Sequence, residues 1–84
     1  MPRYHFNVHD GSSALDRRGT DLSDIDAARR QAAQLMGRML CDDPDTFWNG
    51  EEWHLDVTDE RGLILFRLLF VATDAAARRP AGTR

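Results

Sequence analysis

The sequence contains few of the features that would cross-link the chain, anchor it in a membrane or direct its secretion. It carries a single cysteine, Cys41, among 84 residues, which excludes an internal disulfide framework and a cysteine-rich zinc site. It has no lysine, and its 11 arginines against 14 acidic residues give a formal net charge of −3, which argues against a strongly basic nucleic-acid module. Residues 1–8 lack the basic and apolar regions of a secretory signal, and the uncharged run 68–73 is too short to cross a bilayer. We therefore expect a cytoplasmic protein.

The length of the chain indicates one small domain. A domain of this size buries only about 60–65% of the surface that its unfolded chain exposes, so a partner subunit would add stability. Apolar residues make up 42% and charged residues 30%, which is typical of a globular protein. Residues 75–84 combine small residues, proline, glycine and arginine, and they offer too little apolar area to order themselves. We predict a single domain over residues 1–74 and a disordered tail over 75–84.

Alternating and helical patterns predict the main elements. Residues 3–9 and 53–58 alternate between apolar and polar side chains, as half-buried strands do, and a further strand follows at 63–71. A weaker strand is expected at 14–16. Between these segments, apolar residues recur at helical spacing within an arc of about 140°. They are Ile25, Ala28, Ala32, Leu35, Met36, Met39 and Leu40.

The predicted helix has a start and an end in the sequence. Ser23, followed three residues later by Asp26, has the spacing of a capping box and predicts the N-terminus. Pro44 cannot continue the helix, which we place to end near residue 41. The order strand, weak strand, helix, strand, strand predicts an α+β fold of two layers. Its sheet has three or four antiparallel strands, and one helix covers one face.

The last two strands are predicted to form a hairpin. The turn Asp59 to Gly62 would pair Thr58 with Leu63 and Leu55 with Phe66. A slip of one residue would bury Arg67 opposite Leu55, so its cost excludes that register. The predicted core comprises Tyr4, Phe6, Val8, Ile25, Ala28, Ala32, Leu35, Met36, Met39, Trp53, Leu55, Val57, Ile64, Phe66 and Leu68.

The last strand carries an apolar row on the face opposite the helix. The alternation places Leu63, Leu65, Arg67 and Leu69 there. Three leucines on a face that should meet water need a cover. The tail could fold over them, or they could cluster with Phe47 or Trp48. Alternatively they form an interface with a second copy or another protein, through strand edges or sheet faces. We expect the interface, and with it a protein-interaction module that forms a homodimer.

The other outward-facing residues predict no chemistry of their own. His54 and Asp56 lie about 7 Å apart on one face, and His5 or His9 could join them around a divalent ion if their strands are adjacent. Solvated polar residues explain the same pattern, so we predict no metal and no cofactor. Ser12, Ser13, Ser23 and Cys41 lack the setting of a catalytic nucleophile, and no glycine-rich phosphate loop is present. We therefore expect no enzyme.

The arginines form the only basic cluster. Arg17 and Arg18 are adjacent, and Arg30 and Arg38 lie on the predicted helix, while residues 42–60 are acidic. Tyr4 and Phe6 are predicted to point inward, so they form no platform on which bases could stack. We do not expect nucleic acid as the main partner.

Three segments carry a resemblance to a known family. They are residues 2–11 (PRYHFNVHDG), the stretch 19–22 leading into 24–29, and residues 53–62. The chain resembles a family of short bacterial proteins of unknown function that open with such a strand, and this resemblance implies no activity, cofactor or catalytic residue. The helix opening and the preceding strand are also similar to HicB-type antitoxin domains, which are small partner-binding modules related in shape to double-stranded RNA-binding folds.

The second resemblance implies an alternative function. The chain would be an antitoxin-like or RNA-associated accessory domain that uses Arg17, Arg18, Arg30 and Arg38. Because the chain lacks the DNA-binding segment that such antitoxins carry, we expect no repressor activity.

Overall fold

Three strands, two helices and two further strands follow one another along the part of the chain that the computed structural model describes, residues 1–10, 13–50, 52–73 and 75. The elements, in chain order, are β1 (Arg3–His9), β2 (Ser13–Ala14), β3 (Thr20–Asp21), α1 (Ile25–Asp42), α2 (Pro44–Gly50), β4 (Glu52–Thr58) and β5 (Ile64–Val71). The tail predicted at 75–84 lies outside these residues except for Ala75. No helix in the described ranges is long and apolar enough to span a membrane.

The strands form one antiparallel sheet. Its main path runs β2-β1-β4-β5, and the two-residue β3 pairs with the N-terminal half of β1, on the same edge as β2. Both α1 and α2 contact β4, which lies between β1 and β5. The predicted α+β fold, with an antiparallel sheet and one main helix, is therefore confirmed. The short helix α2 and the short strand β3 were not predicted.

The helix α1 begins one residue later than the capping-box spacing suggested. Asp24 is the N-cap: its backbone is extended, and its carboxylate accepts a hydrogen bond of 2.9 Å from the Ala27 amide. The prediction of Ser23 as the cap was wrong because Asp24 supplies that acceptor. The fully buried helix positions Ala28, Ala32 and Met36 recur every four residues and lie against the sheet, as the apolar stripe predicted.

The residue before Pro44 joins two helices. The Asp43 amide donates to the Met39 carbonyl at the end of α1, and the Asp43 carbonyl accepts from the Phe47 amide in α2. Proline suits the first position of a helix because its φ is already helical and its missing N–H would be unpaired there. Pro44 therefore ends one helix and starts another. As a result Phe47, absent from the predicted core, is 9% exposed and packs edge-on against Trp53, with ring centroids 5.4 Å apart.

The hairpin of β4 and β5 differs from its predicted register by two residues. Leu55 pairs with Leu68, and Val57 pairs with Phe66. A shift of two keeps every side chain on its predicted face. An irregularity follows at Thr58, which pairs with Ile64, so Ile64 stands with the outward-facing residues and is half exposed. The prediction of Ile64 as a core residue was therefore wrong.

The turn of the hairpin matches its predicted sequence signature. Gly62 adopts a φ of 90°, a conformation that favours glycine, and its amide donates to the Asp59 carbonyl. The Asp59 carboxylate accepts hydrogen bonds from the amides of Arg61 and Leu63. One aspartate thus closes the whole turn.

Neighbouring aromatic residues in α2 provide a test of the core. We expect Phe47→Ala to lower the free energy of unfolding by about 3 kcal/mol, because it removes a buried ring from its contact with Trp53. Trp48→Ala should cost about 1 kcal/mol or less, since Trp48 is exposed. Urea denaturation followed by circular dichroism measures both values. Equal losses in the two variants would contradict the placement of Phe47 in the core.

Candidate functional site

The face of the sheet opposite α1, the outer face, carries three rows of side chains that run from β1 through β4 to β5. Strand pairing defines the rows as His9–His54–Leu69, Asn7–Asp56–Arg67 and His5–Thr58–Ile64. The positions on β1 and β4 are polar or charged. The positions on β5 are apolar except for Arg67. The outer face therefore divides into a polar part and an apolar part along the line between β4 and β5.

Two histidines and one carboxylate converge in the polar part. His9 and His54 are Cα partners, and their rings stack with centroids 4.3 Å apart and an angle of 21° between the planes. Nε2 of His9 lies 3.7 Å from Oδ2 of Asp56, and Nε2 of His54 lies 3.9 Å from the same oxygen. The strands of His9 and His54 are adjacent, as a shared site requires. The pairing brings His9 to this cluster and places His5 two rows away.

Asp56 is buried, and its charge is balanced by Arg67 on the neighbouring strand. Arg67 donates through Nε to Oδ1 and through Nη2 to Oδ2, the second bond being 3.2 Å long. These hydrogen bonds lower the pKa of the Asp56 carboxyl below its ordinary value, despite its burial, and the nearby charges of Arg67, His54 and His9 act in the same direction. Asp56 is therefore an ionised acceptor at neutral pH. Its Oδ2 faces the two imidazoles.

The apolar part of the outer face contains the predicted interface residues. Leu63, in the turn, is 63% exposed, and Leu65 and Leu69 on β5 are 38% and 56% exposed. Phe47 does not cover them because it packs against Trp53 on the helix-covered face. Trp48 is itself exposed. Arg67 is the one charged residue of β5, and it is held by Asp56.

The residues proposed for nucleic-acid binding and for nucleophilic chemistry are scattered over several elements. Arg17 and Arg18 are exposed in the loop between β2 and β3, while Arg30 and Arg38 are exposed on α1. Tyr4 and Phe6 are buried, as expected. Association with RNA or DNA through these arginines stays a prediction.

The nucleophile candidates are also separated. Ser23 and Cys41 are exposed near opposite ends of α1. Ser12 lies outside the described residues, and Ser13 is in β2.

Asp16 is the residue of greatest structural consequence that the sequence analysis did not single out. It lies at the edge of β1 that faces away from β4, between the residues of β1 that pair with β2 and those that pair with β3. Its carboxylate accepts hydrogen bonds from the amides of Phe6, Arg18 and Gly19 at 3.0 to 3.2 Å. Its own amide donates to the side-chain oxygen of Asn7. The side chain thus replaces a strand partner for the middle of β1.

The carboxyl of Asp16 is strongly bound by backbone groups. Its partial burial raises the pKa, but the three amide hydrogen bonds and the nearby His5 outweigh that effect and hold the pKa below its ordinary value. Beside it lies a shallow cleft of about 260 Å³, lined by residues that include His5, Leu15 and Thr58. An aspartate after a weak strand is a common turn residue. Only the folded structure shows that the Asp16 carboxylate accepts a hydrogen bond from a backbone amide of β1.

Comparison with known proteins yields one match. A family described as a domain of unknown function (DUF6894) matches residues 3–72. No curated protein and no solved structure matches the chain. The resemblance to a family of unknown function is thereby confirmed, while the similarity to HicB-type antitoxins stays a prediction.

The bonds of Asp16 predict a pH-dependent stability. Because folding lowers its pKa, the contribution of Asp16 is present at neutral pH and is lost as the pH falls below about 4 through the folded-state pKa. We expect Asp16→Ala to reduce the free energy of unfolding at pH 7 by about 1–3 kcal/mol, and this difference from the wild type should narrow below pH 4. Denaturation across pH 3–7 measures it. A difference that stays constant with pH would refute the role given to the carboxylate; Glu60→Gln, in the exposed turn, serves as the control.

Proposed function

The chain belongs to the family described as a domain of unknown function (DUF6894), to which no activity is attached, and we propose that it is a small, non-enzymatic cytosolic interaction module that self-associates through its last strand, β5. The observation that carries this proposal is the exposure of β5 on its outer face, on its inner face and at its edge. Each of these three sides offers a second copy something different.

The outer side of β5 offers apolar surface. Leu65, Leu69 and Val71 are exposed in the strand, and Leu63 and Ile64 extend the same surface toward the turn. Arg67, which Asp56 engages, lies between Leu65 and Leu69 in this row. Exposed apolar surface with a polar rim is typical of an interaction site. Here the rim is the polar part of the outer face on β4 and β1.

The edge of β5 offers hydrogen-bonding groups. β5 is the last strand of the sheet path, and within the described residues no strand pairs with its far side. It is eight residues long and contains neither proline nor lysine, the residues that commonly protect an edge strand. Its one charge, on Arg67, is already engaged by Asp56. The strand thus has the properties that favour pairing with another strand.

The inner side of β5 is incompletely covered. Phe66, Leu68 and Phe70 pack against the core but remain only partly buried, whereas Trp53, Leu55 and Val57 on β4 are almost fully buried. The helical layer therefore covers β4 better than β5. A second copy that added its own layer next to β5 would bury these three side chains further.

A second copy paired at the edge of β5 engages the backbone groups of the strand and adds a layer beside its inner side, and it sets the outer side chains of the two strands next to each other. Two β5 strands related by a twofold axis perpendicular to the sheet pair in antiparallel fashion, and side chains of the same face meet. A register centred on Leu68 sets Phe66 opposite Phe70 and Arg67 opposite Leu69 of the second copy. A register centred on Arg67 would instead set two arginines opposite each other, which is unfavourable. These two registers overlap β5 over seven residues, the most that a pairing centred on one residue allows, and of the two we propose the register centred on Leu68.

Self-association is tested by the molar mass in solution. We expect the wild-type chain to be a dimer by light scattering coupled to size exclusion. Leu65→Asp or Val71→Asp should raise the dimer dissociation constant at least tenfold, because these two exposed positions stand opposite each other in the proposed register and the charge would face an apolar side chain. Leu15→Asp is the matched control, since Leu15 is exposed as well but follows β2, at the opposite edge of the sheet. A wild-type monomer at millimolar concentration, or equal effects of Leu15→Asp and Leu65→Asp, would overturn the proposal.

A further inference from the structure

The cluster of His9, His54 and Asp56 is separate from the apolar surface of β5 and has a geometry of its own. We propose that these three residues form a binding site for a divalent transition-metal ion of the Zn²⁺ class. One ligand atom from each residue lies within 4.8 Å of the other two. The two imidazoles belong to directly paired residues of the adjacent strands β1 and β4, on the same face of the sheet.

The distances within the cluster fit a metal better than direct hydrogen bonds. Nε2 of His9 and Nε2 of His54 lie 3.7 and 3.9 Å from the same oxygen of Asp56, which is beyond hydrogen-bond range. In a tetrahedral zinc site with bonds of about 2.1 Å, the ligand atoms are about 3.4 Å apart. Each imidazole nitrogen therefore needs to approach Oδ2 of Asp56 by only a few tenths of an ångström. Because the two rings are stacked with an angle of 21° between their planes, each ring must also rotate to direct its Nε2 lone pair at one shared ion, and both side chains are partly exposed.

The residues around the cluster orient the ligands. Oε2 of Glu52 lies 3.8 Å from Nδ1 of His54, so a small movement lets it accept the proton on Nδ1 and leaves the Nε2 lone pair for the metal. Arg67 fixes the plane of the Asp56 carboxylate. Oδ2 of Asp56 accepts only one hydrogen bond from Arg67 and retains a lone pair directed elsewhere. His54 and Asp56 are thus each oriented by a neighbouring side chain.

The charge and the donor types select the class of ion. The two carboxylates, Asp56 and Glu52, outweigh the single positive charge of Arg67, so the surroundings of the ion carry a net negative charge. Two imidazoles and one carboxylate suit Zn²⁺, Co²⁺, Fe²⁺ or Ni²⁺, whereas Mg²⁺ and Ca²⁺ prefer all-oxygen sites. Three protein ligands leave the fourth position for water or for an incoming ligand. The proximity of Arg67 to Asp56 makes the site weaker than one with a free carboxylate.

Cobalt titration of the untagged, metal-free chain tests the site. We expect one Co²⁺ per chain, with the visible absorption bands of a four-coordinate ion, and displacement of Co²⁺ by Zn²⁺. His9→Gln and His54→Gln should each weaken binding at least tenfold. His5→Gln is the matched control because His5 lies on the same face of β1, two rows from the cluster. It should bind Co²⁺ as the wild type does.

The results separate this site from adventitious binding and from self-association. Circular dichroism establishes that each variant is folded before titration. Absence of Co²⁺ bands in the wild type at millimolar metal, or equal loss in His5→Gln and His54→Gln, would overturn the proposal. Leu65→Asp, which is directed at self-association, should retain the Co²⁺ site because all three ligands belong to one chain. Loss of metal binding in that variant would also contradict the assignment.

Discussion

The burial of β4 between its two neighbouring strands and beneath both helices determines where every other feature of the molecule lies. Trp53, Leu55 and Val57 fill the helix-covered side of the strand, so the residues between them must face outward. Asp56 is buried among those outward residues because side chains from β1 and β5 flank it. A carboxylate in that position needs a partner, and Arg67 of β5 provides it. The same strand thus anchors the core and sets the charge pattern of the exposed face.

The sequence contains the alternation of the strands and the stripe of α1, and these two patterns were sufficient to predict the layers and the faces. They were not sufficient to predict the hairpin register. Because side chains alternate with a period of two, a register shifted by one residue would bury the polar residues and can be excluded. A register shifted by two residues keeps the same side chains in the core, so the alternation does not exclude it. The choice between Phe66 and Leu68 as the partner of Leu55 depends on the turn and on the irregularity at Thr58, which local pattern does not reveal. Helix α2 escaped prediction because seven residues with one buried aromatic show no periodicity.

The candidate site shows the same division between local and non-local information. Alternation placed His5, His9, His54 and Asp56 on one face, and the structure keeps them there. Which histidine would face His54 depends on how β1 pairs with β4, two strands that are more than forty residues apart in the chain. No local signal determines that pairing. The role of Asp16 is also non-local, since it binds the amide of Phe6 ten residues earlier. Side chains that substitute for a missing strand can be recognised only once the strands are in place.

The side chain of Asp16 has one further consequence, for the size that an assembly can reach. Across the described residues, the far edge of β1 is occupied in turn by β3, by the Asp16 carboxylate and by β2, so that edge has no continuous row of free amides. The sheet therefore ends on one side in the eight-residue strand β5 and on the other side in the two-residue strands β2 and β3. A like molecule added at β5 would bring its own edge of short strands with it. Growth by edge pairing would then stop at a pair of chains, because two-residue strands offer a further chain few backbone partners.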